Sequence, residues 1–153
     1  MKEKPQYSRN EKGNSEAVMF VFKRGNEILI EHRYDKVPPE PYIPNGSIEM
    51  KDRRKAGPTG NYREVALRRE IDEEFDGKIT PTEYKPISEF TVEERNSIFY
   101  IYLISKWLGE FGEYSYEDGE IAAKLEWANE ERAKSLFIYP LLFHALDVAL
   151  NNT

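Results

Sequence analysis

The 153-residue chain contains no cysteine. That excludes disulfides, thiolate zinc sites and a cysteine nucleophile, and it suits a reducing cytoplasm, the compartment we expect. Only two histidines are present, His32 and His144, far apart in sequence, so neither a histidine metal site nor a triad is supported. No apolar run approaches the ~20 residues a membrane helix needs, so no membrane association is expected. The N-terminal stretch MKEKPQYSRNEKGN has no apolar h-region, so it does not read as a secretory signal. Basic charge is also in deficit. There are 22 Lys and Arg against 28 Asp and Glu, a net charge of −6, which argues against stable nucleic-acid binding and suits a chain that collects divalent cations.

What is present reads as a flexible tail (1–14) and one domain (15–153). EAVMFVFKRGNEILIEHRY (16–34) holds two β-rich runs around Gly25-Asn26, a two-residue turn signal, and predicts a hairpin. The prolines of DKVPPEPY predict no regular structure. YIPNGSIEM predicts a short extended piece broken at Asn45-Gly46, and KDRRKAGPTG (51–60) an exposed loop. A helix is predicted from about Asn61 to Phe75. Asn61 is its N-cap, Glu64 completes a capping box, Leu67, Ile71 and Phe75 form the buried stripe, and Gly77 stops it with positive φ. EYKPISEFTV and NSIFYIYLISKWL predict two strands, GEFGEYSYEDGE an acidic loop and AAKLEWA a last short strand. NEERAKSLF and PLLFHALDVALNN predict terminal helices, with Pro140 at a first helical position. The order predicts an α/β (α+β) chain, a sheet sandwiched between helices.

REIDEEFDG (69–77) packs five carboxylates behind one arginine. At about 100° per residue, Glu70, Glu73 and Glu74 share one face, which borders the stripe at Leu67. Asp72 points away and reads as a solvated acid. Carboxylates at the edge of a core repel one another more strongly as the dielectric falls. A divalent cation would offset that, and hard oxygen donors suit Mg²⁺ or Mn²⁺. On spacing alone, an ordinary acidic helix screened by Arg68 and Arg69 stays open.

Together IPNGSIE and REVALRREIDEEF resemble the box of the Nudix hydrolase family, G-x5-E-x7-R-E-U-x-E-E-x-G-U with U aliphatic. The second half matches at Arg69, Glu70, Ile71, Glu73 and Glu74, and the first half at Pro44-Asn45-Gly46-Ser47-Ile48-Glu49. The hairpin before the box and the late EW strand before terminal helices are also similar. There are three departures. The spacing from Gly46 to Arg69 is long by about nine residues, with KDRRKAGPT the apparent insertion. Asn61 stands where the pattern, counted back from Arg69, has glutamate. Asp76 stands at the closing glycine.

The resemblance implies a Nudix-like α/β/α sandwich, with a mixed β-sheet between helices. It implies a Mg²⁺-dependent pyrophosphohydrolase (Mn²⁺ as the alternative ion) acting on a nucleoside diphosphate linked to another group X, such as a nucleoside triphosphate or an oxidised nucleotide. Glu70, Glu73 and Glu74 would hold metal with the Gly46 carbonyl, and Arg69 would orient a glutamate. The base would come from the box or from a later acidic loop, where Glu120 is the choice, ahead of Asp118 and Glu117. The partner implied is a nucleotide-type diphosphate; a homodimer is compatible. Two alternatives remain. One is a non-catalytic Nudix-fold nucleotide or sugar-binding module, disfavoured because all three box glutamates persist. The other is a prenyl diphosphate isomerase, disfavoured by the absence of cysteine.

His32 is a candidate cleft residue, and His144 reads as a satisfied structural histidine. Tyr100 and Tyr102 read as core, with base stacking the alternative. The run KDRRK, taken with AGPT, reads as a solvated surface loop or as a mobile loop that closes over phosphates.

Overall fold

The computed structural model describes residues 4–152. Its strands are β1 (Ser15–Arg24), β2 (Glu27–Arg33), β3 (Glu40–Tyr42), β4 (Asn45–Ser47), β5 (Thr80–Val92), β6 (Ser97–Leu108), β7 (Tyr114–Glu117) and β8 (Glu120–Asn129). Its helices are α1 (Met50–Ala56), α2 (Tyr62–Glu74), α3 (Glu130–Leu136) and α4 (Pro140–Leu150). One sheet runs β5-β6-β1-β2-β8-β7, with β4 beside β1 and β3 beside β2. Among the described residues only β1 and β6 pair in parallel, so the sheet is mixed, as expected.

The unbroken run AVMFVF is apolar at every position because β1 is covered on both faces. Ala17, Met19 and Val21 point to α4, while Val18, Phe20 and Phe22 point to Leu67 and Ile71 of α2 and to its C-cap Phe75. The result is the expected α/β/α sandwich. Asn61 caps α2 by accepting from the N–H groups of Arg63 and Glu64, whereas the Glu64 carboxylate turns to Tyr84 rather than completing a capping box. The helix ends at Glu74, and Gly77 has φ 71° as expected; Asp76 is left-handed too, at φ 53°. Aspartate tolerates that region better than most side chains, so the box closes without its glycine. Pro81 and Pro86 sit on the edge strand β5, where the pairing register shifts around them. No described helix is long and apolar enough to cross a membrane.

Several expectations are corrected. Most of the N-terminal segment is not a loose tail. Ser8 is fully buried, its N–H donates to Ile48 O at 2.9 Å, and Tyr7 and Arg9 form isolated bridges with Glu49 and Ser15. The supposed insertion is not a loop in its first half, since 50–56 form α1. The proline-rich stretch contributes β3, and Asn45-Gly46 pair with β1 instead of breaking a strand. The acidic stretch supplies β7, because hydrogen bonding to β8 outweighs its charge.

Candidate active site

Arg69 organises the site from α2. Its Nε and Nη2 donate to the two Asp52 oxygens at 2.8 and 2.9 Å, and Nη2 also donates to the Ser47 carbonyl at 3.1 Å. Its Nη1 donates to Glu70 Oε1 at 3.0 Å and to Glu73 Oε2 at 3.2 Å, and lies 3.1 Å from Glu49 Oε2. One side chain thus pins the β4 loop, α1 and the glutamate helix together. Burial alone would lower the arginine's pKa; hydrogen bonds to Asp52 and the charges of Glu70, Asp52 and Glu49 more than reverse this, so it stays charged. For Asp52, burial works against ionisation, but Arg69 and the Glu49 N–H hold its carboxyl below the ordinary value.

Asp52 was not anticipated. Counting back from Arg69 reaches Asn61, but counting six residues forward from Gly46 reaches Asp52. The acid of the box pattern is therefore present, and the extra residues follow it. Its second role is local: Asp52 Oδ2 accepts from the Glu49 N–H at 2.8 Å and closes the first turn of α1.

Gly46 lies against Glu70. A Cβ built on Gly46 would stand 2.1 Å from Glu70 Cδ, so the absent side chain is a matter of space. Burial is the main cause pushing the Glu70 carboxyl up to about 7; Arg69 opposes it, while Glu73 and Glu49 add to it. Glu73 is exposed on the outer side of the same face.

Glu74 meets a residue that the sequence reading missed, Glu31 of β2. Part of Glu74 stays on the surface, but its carboxyl end is enclosed, and burial with the adjacent Glu31 carboxyl raises its pKa well above the usual range. Glu31 is 3% exposed and accepts from Arg33 Nε at 2.9 Å and Ser115 Oγ at 3.2 Å. Strand alternation carried the signal, because Glu31 shares its face with buried Leu29.

Gly46, Arg69, Glu70 and Glu73 are therefore brought together, with Glu74 joined to Glu31 beside them. Glu120 lies across from Glu117 at the exposed end of the β7–β8 hairpin, and among the described residues no hydrogen bond or ion pair ties it to the box glutamates. His32 is engaged with Glu126 at 2.9 Å, and His144 with Ser88 Oγ at 2.7 Å. Tyr100 and Tyr102 are each 3% exposed and belong to the core.

Among the described residues no group of three or more acidic or histidine side chains is set to hold a metal ion; the point shared by Glu49, Glu70 and Glu73 is taken by Arg69 Nη1. The donor set still fits a hard divalent cation. It is made of oxygens only, one carboxyl rests against backbone that glycine alone leaves open, and two carboxyls carry raised proton affinity that a cation would relieve.

No family model matches the chain, and no curated protein sequence matches it. Solved structures do. A MutT protein, from a study of Aliivibrio salmonicida and Vibrio cholerae, superposes with TM-score 0.64 at 20% identity, over 90% of this chain and 98% of that one. A MutT Nudix hydrolase from Burkholderia pseudomallei gives 0.60 at 18%, over 87% and 95%. An ADP compounds hydrolase gives 0.61 at 16%, over 90% and 78%. At this identity the likeness establishes the fold, which is that of Nudix hydrolases.

Proposed function

We propose that this chain, with its Nudix fold, is a Mg²⁺-dependent hydrolase of a phosphoanhydride bond in a nucleoside diphosphate linked to another group. The observation that carries the reading is the Gly46–Glu70 contact, braced by Arg69 against Glu49, Glu70 and Glu73. Glu70, Glu73, Glu74 and the Gly46 carbonyl would hold the ion. When bound, Mg²⁺ supplies neutralisation of the phosphate oxygens and a more acidic water. Water adds to one phosphorus, the P–O bond to the leaving phosphate or phosphomonoester breaks, and the water's proton passes to a carboxylate. Glu70, set against Gly46 at the centre of the box, is the candidate for that role. Glu120 is the alternative base, and Glu120→Gln decides: it abolishes turnover if Glu120 is the base and leaves turnover near wild type if the base lies in the box. Arg69 keeps Glu49, Glu70 and Glu73 in place and has no donor to spare for substrate.

The test is a panel of nucleoside triphosphates, their oxidised-base forms and nucleoside diphosphate sugars, assayed for released phosphate or monophosphate. At least one should be cleaved with Mg²⁺ and not with EDTA. Binding without cleavage across the panel would favour a ligand-sensing module instead.

A further inference from the structure

Arginines around the site differ in how their terminal groups are used. Arg69 engages both Nη atoms, and Arg53 its Nη2, with protein oxygens. Arg33, at the end of β2, does not. Its Nε donates to Glu31 and its guanidinium lies 4.2 Å from the centre of the Tyr42 ring, yet among the described residues neither Nη has a hydrogen-bond partner. The side chain is 30% exposed, so the fork reaches solvent while its base is fixed. The same Glu31 touches Glu74, which places the fork beside the glutamate helix.

We propose that Arg33 binds a phosphate of the substrate through its free Nη pair, with Glu31 and Tyr42 holding the guanidinium ready. A planar fork matches two phosphate oxygens, and an arginine already immobilised loses little entropy on binding. Stacking on Tyr42 fixes the plane of the fork, and the ion pair with Glu31 fixes its reach. Glu31 is then a positioning residue, which explains an acid on a buried strand face. The inference rests on the hydrolase reading for its substrate class, but its geometry does not.

The experiment measures binding of methylenediphosphonate, whose P–C–P bridge cannot be hydrolysed, by calorimetry with Mg²⁺ present. Wild type, Arg33→Lys and Arg33→Met are compared, with thermal unfolding of each. Arg33→Lys keeps the charge beside Glu31 but loses the fork. Affinity should fall by about tenfold in Arg33→Met and severalfold in Arg33→Lys. On any substrate the panel identifies, KM should rise in Arg33→Lys with kcat little changed. Affinity within twofold of wild type in both variants would overturn the proposal, leaving Arg33 as the neutraliser of Glu31. Failure of wild type to bind the diphosphonate would overturn it too. Arg33-dependent binding by a protein that cleaves nothing on the panel would support this inference while sinking the hydrolase reading.

Discussion

At Gly46 the missing side chain is what lets Glu70 stand where it does. Gly46→Ala would press a methyl into the Glu70 carboxyl, the mobile end of a side chain, so the carboxyl moves and the backbone need not. Stability should change by less than about 1.5 kcal/mol, while turnover falls by about 100-fold or more. Urea unfolding and steady-state kinetics on one preparation check both. Glu70 also sets a pH dependence in the metal-free protein. Its carboxyl ionises at about 7 when folded, against an ordinary value of 4.5. The folded state therefore holds the proton more tightly, and the group costs stability progressively as pH rises through that window. Glu70→Gln lacks this loss. Relative to wild type in EDTA, it should gain up to about 3 kcal/mol between pH 4 and pH 8. A difference independent of pH would mean that the Glu70 carboxyl is as well solvated as in the unfolded chain.

At the level of elements, α1 and the segment before β1 are tied together by one buried acid. Glu16 is 1% exposed; Arg53 Nη2 donates to it at 2.7 Å, Tyr62 OH at 2.7 Å and Ser8 Oγ at 2.6 Å, and Tyr100 OH donates as well. Burial pushes the Glu16 carboxyl up, but these donors together hold it below its ordinary value. Arg53→Ala should therefore cost about 2–4 kcal/mol, whereas exposed Arg54→Ala should stay within about 0.5 kcal/mol, as measured by urea unfolding. The sequence reading gave both arginines to a surface loop, either solvated or closing over phosphates. It failed there because a run of charge looks the same whether it is solvated or answers a distant buried acid. The segment 4–14 was misread for the same reason: its order comes from partners at Glu16, Ile48 and Arg53, which local polarity does not reveal. By contrast α2 was legible, since its stripe, N-cap and stop all lie within the segment. The central hairpin was legible through its turn and the both-faces apolar run of β1. Gly46, Arg69, Glu70 and Glu73 were legible as a motif; Asp52 was hidden by the direction of counting, and Glu31 by sitting on another element.

Across the whole molecule, two apolar layers clamp the sheet, and the glutamate helix is the element that closes one of them. That explains how carboxylates come to lie at the edge of a core: Leu67, Ile71 and Phe75 must be buried, and Glu70 and Glu74 go with them. The acidic balance of the chain, net −6, adds to the repulsion at that edge. The central claim is that this repulsion is kept because a divalent cation uses it. The most direct measurement is a Mn²⁺ titration followed by electron paramagnetic resonance, on wild type and on Glu74→Gln, with unfolding midpoints recorded beside it. Glu74→Gln removes one of two adjoining carboxyls, so its metal-free midpoint should hold or rise. The account predicts that wild type binds Mn²⁺ and that Glu74→Gln binds it at least about tenfold more weakly. A folded Glu74→Gln protein with undiminished Mn²⁺ affinity would contradict it.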